Sequence, residues 1–378
     1  MKTTRTIDLP QTSPGTGRWL EVICYGTPNQ RPKAYLQAGL HADEAPGFAV
    51  LNRLIKKLDE ADARADITGE IVVVPAANPV GLAQWRDESL QGRFDFVNSI
   101  NFNRQHHDLA ARLIEAVKEE LGSDPQANTQ LIRKQSAQIL QEQQPENETE
   151  FLKNQLLRLS HDADIVLDLH CDLQALMHVY LGTALWPEAQ DLSAQLGAEA
   201  TLLAADSGGT PFDEANSRLW WVLREQFPDH PIACGCCAAT VELRGSSDTD
   251  PQTIDSDADN LYLFLLRRGL IVGEPPSLPP LINEATPLTG VDYVKAPAPG
   301  IIVFFRKPGM WIKKEEVIAE IINPLPGSSE APVVQVKSRT DGLMFSRAVD
   351  RFARPGRIIA KIAGEKPLVA SEGNLLTL

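Results

Sequence analysis

Short apolar runs that alternate with helix-forming stretches are the feature that most constrains this chain. Residues 47–62 carry apolar side chains at three- and four-residue spacings, which predicts a helix. Buried strands that alternate with such helices predict an α/β domain whose sheet is covered by helices. The predicted strands are rich in Val, Ile, Leu and Ala and end in turn-forming or polar residues; they are 33–40, 69–79, 163–170, 176–182 and 238–245.

Polar side chains stand at the ends of several predicted strands. His41 and Glu44 follow the first strand, Asn78 follows the second, His170 ends the third, and Glu242 lies near the end of the last. In open α/β sheets, ligands bind in the crevice outside the carboxyl ends of the strands. We therefore expect these side chains to line a functional site.

Residues 105–160 have a different composition, rich in Gln, Glu, Asn and Leu, with a break at 122–129. This pattern predicts two polar helices that form a hairpin insertion. The insertion could serve as a lid, as a dimer contact or as a solvated arm with some packing role. We favour the solvated arm.

The composition changes again near residue 283. A proline-rich stretch at 273–287 precedes short strand-like runs separated by Gly and Pro turns, which predicts an all-β domain at 283–378 after a larger domain at 1–282. This region is similar to the barrel-sandwich fold of biotinyl and lipoyl carrier domains in "APAPGIIV", "KPGMWIKKEEVIAEI" and "SRTDGLM". Those carriers present a lysine on a hairpin, whereas the corresponding hairpin here, 323–332, contains none. A structural or oligomerisation role is favoured.

Net charge and apolar content indicate whether the protein is expected to bind nucleic acid or membranes and in which compartment it is expected to lie. The chain of 378 residues has 50 acidic and 36 basic side chains, a formal charge of −14, which repels phosphate backbones and anionic lipid surfaces. The N-terminal residues lack the apolar segment of a signal peptide, and no run approaches the roughly 20 apolar residues that span a bilayer. We expect a cytoplasmic protein that binds neither nucleic acid nor membrane, with its five cysteines reduced.

Imidazole and carboxylate side chains at strand ends suit a catalytic zinc site, which uses three protein ligands and leaves one position open. His41 and Glu44 supply two candidate ligands, and His170 is placed to supply the third. An HxxE pair alone is a weak signal. Five other histidines compete but lie in polar helical or loop stretches or within a strand: 106, 107, 161, 178 and 230.

Three further motifs strengthen this interpretation. "AANPVG" follows the second strand, "NFNRQ" brings Asn103 and Arg104 together, and "TVELRG" places Glu242 in a strand otherwise poor in charge. Burying such a carboxylate is costly unless it is paired or used.

The order HxxE, NP, NR, DLH and TVE resembles the succinylglutamate desuccinylase and aspartoacylase family of zinc-dependent deacylases, which are related to zinc carboxypeptidases. The resemblance covers residues 33–245. It implies a zinc carboxypeptidase-like mixed sheet flanked by helices and one Zn²⁺ per chain. The implied zinc ligands are His41, Glu44 and His170, Glu242 is the implied catalytic carboxylate, and Asn103 and Arg104 are implied to bind a substrate carboxylate.

The chain departs from the family pattern at one position and leaves one choice open. The usual "DLNR" is "NFNR" here, so the acid before the Asn-Arg pair is lost. An arginine between the NP and NR motifs polarises the scissile carbonyl in the family. Arg86 and Arg93 are the candidates, and we favour Arg93 because a glycine precedes it. Asp168 and Asp172 flank His170, and one of them, which we assign as Asp168, is expected to accept from the second ring nitrogen of His170; a local turn contact is the alternative.

The resemblance implies hydrolysis of the amide bond of a small N-acyl amino acid or related N-acyl amine, with release of a carboxylate and a free amine. One alternative is a metallocarboxypeptidase that acts on short peptides, and another is an inactive binding or scaffold protein. The helical insertion and the β domain are the candidate contacts for a homo-oligomer, since symmetric dimers are the commonest assembly.

Overall fold

The computed structural model describes residues 1–325, 332–368 and 375. Its larger part is built on a nine-stranded sheet in the order β1-β2-β4-β3-β7-β11-β9-β10-β12. The strands of this part, including the separate β5–β6 hairpin and β8, are β1 (Thr3–Asp8), β2 (Trp19–Tyr25), β3 (Lys33–Ala38), β4 (Glu70–Val74), β5 (Trp85–Arg86), β6 (Ser89–Leu90), β7 (Ile165–Asp172), β8 (Gln174–Ala175), β9 (His178–Gly182), β10 (Ala200–Ala204), β11 (Cys237–Gly245) and β12 (Thr286–Pro287).

The sheet is mixed, which confirms the predicted fold class. Strands β3, β4, β7 and β11 run parallel to their neighbours among themselves, whereas β1, β2 and β9 form antiparallel pairs. The helices are α1 (Ala45–Ala63), α2 (Pro79–Leu82), α3 (Ala110–Val117), α4 (Pro125–Gln141), α5 (Glu148–Ser160), α6 (Gln190–Leu196), α7 (Phe212–Gln226) and α8 (Pro251–Arg267).

Side-chain alternation along the central strands builds one core on each face of the sheet. In β3, Leu36 joins the core beneath α1, α6 and α8, whereas Tyr35 joins the core beneath the helices α3, α4, α5 and α7. Both side chains are fully buried. Because the period of a strand is two, a strand covered on both faces reads as a continuous apolar run. This is why the sequence predicted β3, β4, β7 and β11.

The segment 105–160 differs from the prediction of two polar helices in a solvated arm. It contains three helices, α3, α4 and α5, and their apolar sides are buried in the second core. The buried side chains include Leu113, Ile132, Leu140, Leu152 and Leu156. The many Gln and Glu residues occupy the outer faces, so the overall polarity of the segment concealed a narrow apolar stripe.

The C-terminal part is all-β, as predicted. Two antiparallel sheets, β13-β20-β18-β15 and β17-β16-β14-β19, enclose a core of their own. Their strands are β13 (Val291–Lys295), β14 (Gly300–Phe304), β15 (Trp311–Ile312), β16 (Val317–Ile322), β17 (Val333–Lys337), β18 (Gly342–Arg347), β19 (Phe352–Ala353) and β20 (Ile358–Gly364). Residues 326–331 of the hairpin compared with the carrier lysine hairpin lie outside the described residues.

The two parts are joined by strand pairing as well as by the chain. Strand β8 pairs with β18, and β12 pairs with β10, so Thr286–Pro287 extends the large sheet before the small sheets begin at Val291. The Lys361 ammonium lies 2.7 Å from Asp172 Oδ2, between β20 and the end of β7. The C-terminal part therefore reaches the edge of the large sheet where the site lies.

Within the described ranges, no helix combines the length and the apolar character needed to cross a membrane.

Candidate active site

The predicted ligands meet at the carboxyl ends of the central strands. His41 follows β3, His170 lies in β7, and Glu242 in β11 stands opposite His170 in the parallel pairing of these two strands. Glu44 is the residue that precedes the first turn of α1. The fold thus brings together side chains that are more than a hundred residues apart in sequence.

The loop that carries His41 and Glu44 is held by two local features. Gly39 has a φ of +73°, and a Cβ there would lie 2.0 Å from the Phe48 ring, so the backbone requires glycine. Asn78 of the NP motif donates to the Leu40 carbonyl at 2.8 Å and accepts from the Gly81 N–H at 2.7 Å. Asn78 therefore positions the loop.

His41, Glu44 and His170 form a compact, buried group whose candidate ligand atoms all lie within 4.8 Å of one another. His41 Nδ1 is 3.0 Å from Glu44 Oε1, and His170 Nδ1 is 2.8 Å from Glu44 Oε2. Ligands about 2.1 Å from a tetrahedral zinc lie roughly 3.4 Å apart, so two imidazoles and a carboxylate at these separations fit such an ion. No other such group of three occurs among the described His, Cys, Asp and Glu side chains.

The second nitrogen of each imidazole contacts a side-chain oxygen. His41 Nε2 lies 2.8 Å from Asn101 Oδ1, and His170 Nε2 lies 2.9 Å from Asp168 Oδ2. Asp168 is held in turn by Gln37, whose amide donates to Asp168 Oδ1 at 3.0 Å. Acceptors in these places fix the ring orientation and turn both Nδ1 atoms toward Glu44.

Asn101 was missed by the sequence analysis. Asn101 occupies the position of the acid in the family pattern "DLNR". The sequence analysis treated the function of that acid as lost. The Asn101 amide oxygen accepts from the Asn103 backbone N–H at 2.9 Å and also faces His41. A neutral acceptor can orient an imidazole as a carboxylate does, and the motif position was the signal that could have revealed it.

The electrostatics of the group favour a cation. Burial, reinforced by Arg93, lowers the pKa of His41 to about 4, which leaves a neutral ring. Burial alone would lower the pKa of His170, but the carboxylates of Asp168 and Glu44 raise it well above its usual value. Burial opposes ionisation of Glu44, yet the two histidines hold its pKa well below the usual range. A metal ion would therefore displace a proton from His170.

Glu242 lies in the same cavity as this group, where the charges of His170 and Lys361 act on it only partly against its burial. Its Oε2 is buried and has no hydrogen-bond partner among the described residues. Burial, followed by the charge of Glu44, raises the pKa of Glu242 to about 8. A carboxyl group with a pKa near the working pH suits proton transfer in either direction.

The structure separates the two candidate arginines. Arg93 lines the cavity and donates to Glu44 Oε1 at 3.0 Å. Arg86 lies on the β5–β6 hairpin with 78% of its side chain exposed and contributes nothing to the cavity. A Cβ at Gly92 would lie 2.3 Å from the Asp43 nitrogen, so the glycine before Arg93 permits close backbone approach to the His41 loop.

Asn103 and Arg104 both line the cavity. Asn103 Oδ1 accepts from the Phe212 N–H at 2.8 Å, which ties this loop to the start of α7, and Arg104 donates to the Asn103 carbonyl at 2.6 Å. Lys153 of α5 donates to the carbonyls of Asn101 and Arg104. The helical insertion therefore supports the loop that carries these residues.

The remaining walls come from segments that the sequence analysis did not connect with the site. Ser207, Asp213 and Glu214 form one side, and the C-terminal part adds Tyr293 and Lys361. The whole cavity has about 750 Å³ of empty space, counted out to its open mouth. Acids in the first turn of a helix, and strand residues in a separate sheet, carry no local signal of a site.

Comparisons with known proteins identify the family and the fold of the chain. A family model described as the succinylglutamate desuccinylase/aspartoacylase catalytic domain matches residues 30–266. No curated protein sequence matches the chain. Several solved structures share its fold, and they agree over both the α/β part and the β part.

A succinylglutamate desuccinylase/aspartoacylase family protein from Shewanella amazonensis aligns with a TM-score of 0.85 and 23% identity over 96% of this chain and 98% of the other. One from Shewanella frigidimarina aligns with a TM-score of 0.85 and 22% identity over 98% and 99%. The ectoine utilization protein EutE (DoeB) from Ruegeria pomeroyi, in a product-bound structure, aligns with a TM-score of 0.66 and 17% identity over 96% and 95%. With the family model matching well over half of its length, the chain belongs to the succinylglutamate desuccinylase/aspartoacylase family.

Proposed function

We propose that this protein is a zinc-dependent hydrolase that removes an acyl group from the nitrogen of a small amino acid or related amine. The observation that carries the proposal is the buried group of His41, Glu44 and His170 with the Glu242 carboxyl in the same cavity. Membership of a family named for two deacylases agrees with this chemistry. The structures that share the fold support the architecture alone.

The residues that would hold the metal are His41, Glu44 and His170. Their two nitrogens and one carboxylate are the donor types that zinc prefers, and all three side chains are buried. When bound, zinc would polarise the amide carbonyl and lower the pKa of a water molecule toward about 7.

Glu242 would act as the proton carrier. As a carboxylate it takes a proton from the attacking water, and as the carboxylic acid it returns that proton to the departing amine nitrogen. The absence of a hydrogen-bond partner for Oε2 among the described residues supports this role, because no protein donor competes for that atom. Its raised pKa, about 8, makes both protonation states accessible near neutral pH.

Two arginines complete the assignment. Arg93, beside Glu44, would stabilise the negative charge that develops on the carbonyl oxygen during attack. Arg104, with the neighbouring Asn103, would bind a carboxylate of the substrate, since a guanidinium can make two parallel hydrogen bonds to it. The substrate would then carry a free acid close to the scissile amide.

The experiment is an amine-release assay with purified protein, added zinc and a chelated control, over a panel of N-acetyl, N-succinyl and other N-acyl amino acids. We expect chelator-sensitive release from at least one member. His170→Ala should lose both metal and activity, Glu242→Ala should keep the metal and lose activity, and His230→Ala, outside the cavity, is the matched control.

Release of a C-terminal residue from short peptides, with no turnover of the N-acyl panel, would replace the proposal with a metallocarboxypeptidase. Turnover that survives in Glu242→Ala would contradict the role given to Glu242. A zinc-loaded protein that hydrolyses neither class would favour a binding or scaffold protein.

A further inference from the structure

The two imidazoles of the candidate metal group have different partners on the side that faces away from Glu44. His170 Nε2 lies 2.9 Å from the carboxylate of Asp168, whereas His41 Nε2 lies 2.8 Å from the amide oxygen of Asn101. Both rings and both partners are buried, with at most 4% of each residue exposed. One imidazole therefore has a charged acceptor behind it and the other has a neutral one.

The orientation of the Asn101 amide follows from its contact within the loop. Its Oδ1 accepts from the Asn103 backbone N–H at 2.9 Å, because the reversed amide would turn its own N–H groups toward that donor. The same oxygen lies 2.8 Å from His41 Nε2, so this ring nitrogen donates. Asn101 thereby selects the tautomer of His41 that has its proton on Nε2 and a lone pair on Nδ1.

Arg93 supports the same tautomer from the other side of the ring. Its Nη1 lies 3.1 Å from His41 Nδ1 and 3.5 Å from Nε2, and its Nη2 donates to Glu44 Oε1 at 3.0 Å. A guanidinium offers donors only, so Nδ1, the nearer ring nitrogen, accepts. The lone pair of His41 Nδ1 therefore points to the side where the candidate ligand atoms converge.

An amide and a carboxylate both accept from an imidazole N–H, but they differ in charge. A carboxylate behind the ring makes the opposite nitrogen a stronger metal ligand, and it adds a negative charge close to the ion. The family pattern "DLNR" has an acid at the position of Asn101, whereas this chain reads "NFNR". Relative to that pattern, the site of this chain lacks one negative charge behind His41.

The surroundings of Asn101 would accommodate an acid of the same shape. The Asn103 N–H can donate to a carboxylate oxygen as it does to the amide oxygen. Asn101 Nδ2 makes no hydrogen bond among the described residues, so exchanging it for an oxygen breaks none. The Lys153 ammonium lies 3.2 Å from the Asn101 carbonyl oxygen, which places a cation nearby. An aspartate at this position would therefore change the charge and little else.

We propose that Asn101 is a positioning residue that prepares His41 as a metal ligand, and that its neutrality lowers the affinity of the site for a divalent cation. The site then needs a higher concentration of free zinc to fill than the same site with a carboxylate behind His41. This inference rests on the proposed zinc-dependent function, because it concerns the same group of ligands.

The test is the zinc affinity of the full-length, metal-free protein, measured by competition with a chromogenic chelator. Asn101→Asp should bind zinc at least about tenfold more tightly than the native protein, and Asn101→Leu at least about tenfold more weakly. Asn98→Asp is the matched control, since Asn98 Oδ1 also accepts from the N–H two residues further on, that of Ile100. Asn98 does not line the cavity, so this variant should bind zinc like the native protein.

A residue that only shaped the loop would give a different result. Asparagine and aspartate both accept from the Asn103 N–H, so Asn101→Asp would then have the native zinc affinity. Nitrogen NMR of the metal-free, histidine-labelled protein adds a second readout, with the His41 signal assigned from its loss in His41→Gln. We expect the proton on Nε2 of His41. A proton on Nδ1 in the native protein, or equal zinc affinity in the native protein and Asn101→Asp, would overturn the inference.

Zinc affinity is measured without turnover, so failure of this inference can be told apart from failure of the proposed function. Tighter zinc binding in Asn101→Asp, with no hydrolysis of any N-acyl substrate by the native protein, supports the inference and contradicts the deacylase assignment. Equal affinity in a protein that does hydrolyse these substrates contradicts the inference alone. A native protein that binds no zinc overturns both.

Discussion

Two walls of one cavity differ in whether their buried polar atoms have hydrogen-bond partners. On the wall formed by His41, Glu44 and His170, which we call the histidine wall, every ring nitrogen and both carboxylate oxygens contact a partner. On the side formed by Asp213 and Glu214 at the start of α7, which we call the acidic wall, Asp213 Oδ1 and Glu214 Oε2 accept no hydrogen bond from the described residues. Both walls are buried, so burial alone does not explain the difference.

The first wall is already held in place by its own contacts, whereas the second contains buried carboxyl oxygens that lack hydrogen-bond partners among the described residues. The contacts of the histidine wall fix its geometry before any ligand arrives, which is what a site for a metal and a reacting bond requires. The acidic wall has a desolvation cost that its contacts offset only in part, since burial still raises the pKa of both Asp213 and Glu214. Substitutions should therefore impair function on the first wall and improve stability on the second.

The largest effect is expected from Glu242→Gln, which removes the proton carrier beside the histidine wall. The amide keeps the shape but cannot take a proton, so kcat should fall by about 100- to 10,000-fold while bound zinc stays unchanged. Steady-state kinetics and metal analysis on the same sample measure this. A fall of less than tenfold would show that another group carries the proton.

Arg93→Met should rank second. Losing a donor that faces the developing oxyanion typically lowers kcat by about 100-fold or more. Arg86→Met removes the other candidate, which lies on an exposed hairpin, and should leave kcat unchanged. The kinetic comparison of these two variants tests the choice between the arginines, and equal losses in both would contradict the geometry.

Asp168→Asn tests the support of the histidine wall. It removes the charged acceptor of His170 Nε2, and the loss of such a partner typically weakens metal affinity by about 10- to 100-fold. Competition with a chromogenic chelator measures the affinity. Asp255→Asn, an exposed acid on α8, is the control and should bind metal like the native protein. An unchanged affinity in Asp168→Asn would show that the ring is oriented by other contacts.

Asp213→Asn should have the smallest effect, and unlike the other substitutions it should be favourable, because it should raise the free energy of unfolding. In the folded protein the pKa of Asp213 is about 7, against 3.8 ordinarily, so the native state retains a proton that the unfolded chain releases. Native stability therefore falls as pH rises from about 4 to about 7. The Asp213→Asn variant does not lose stability in this way. The difference in free energy of unfolding between the variant and the native protein should therefore favour the variant more at pH 8 than at pH 5, by on the order of 2 kcal/mol. Urea unfolding at both pH values measures it, and a variant that is less stable at pH 8 would contradict the account.

The predicted parts of the fold are those with strong local patterns. Strands buried on both faces, such as β3 and β7, read as apolar runs, and α1 shows a clear helical period. The missed strand β2 alternates exposed and buried side chains, as in "WLEVICY", and lies toward the sheet edge, where the apolar run is interrupted. Strand β1 is mostly exposed and depends on pairing with β2.

Two kinds of sequence signal predicted residues of the candidate site. Arg93, Asn103 and Arg104, which line the cavity, were predicted from motifs that resemble a family. The others were predicted because they follow strands. His41, Glu44, His170 and Glu242 stand at strand ends, and the fold brings strand ends together. Asp213 and Glu214 read as ordinary helix-start acids, because their burial depends on how α7 docks onto the sheet. The reach of Lys361 into the cavity depends on how the C-terminal part packs, which no local pattern specifies.

The central claim, that the histidine wall is a metal site, is tested most directly by titrating the metal-free protein with zinc and measuring stoichiometry and proton release by calorimetry in two buffers. We predict one zinc per chain, bound with release of a proton because the pKa of His170 is raised in the free protein. Binding should be lost in His170→Ala. Failure to bind zinc, or the same binding in His170→Ala, would contradict the account.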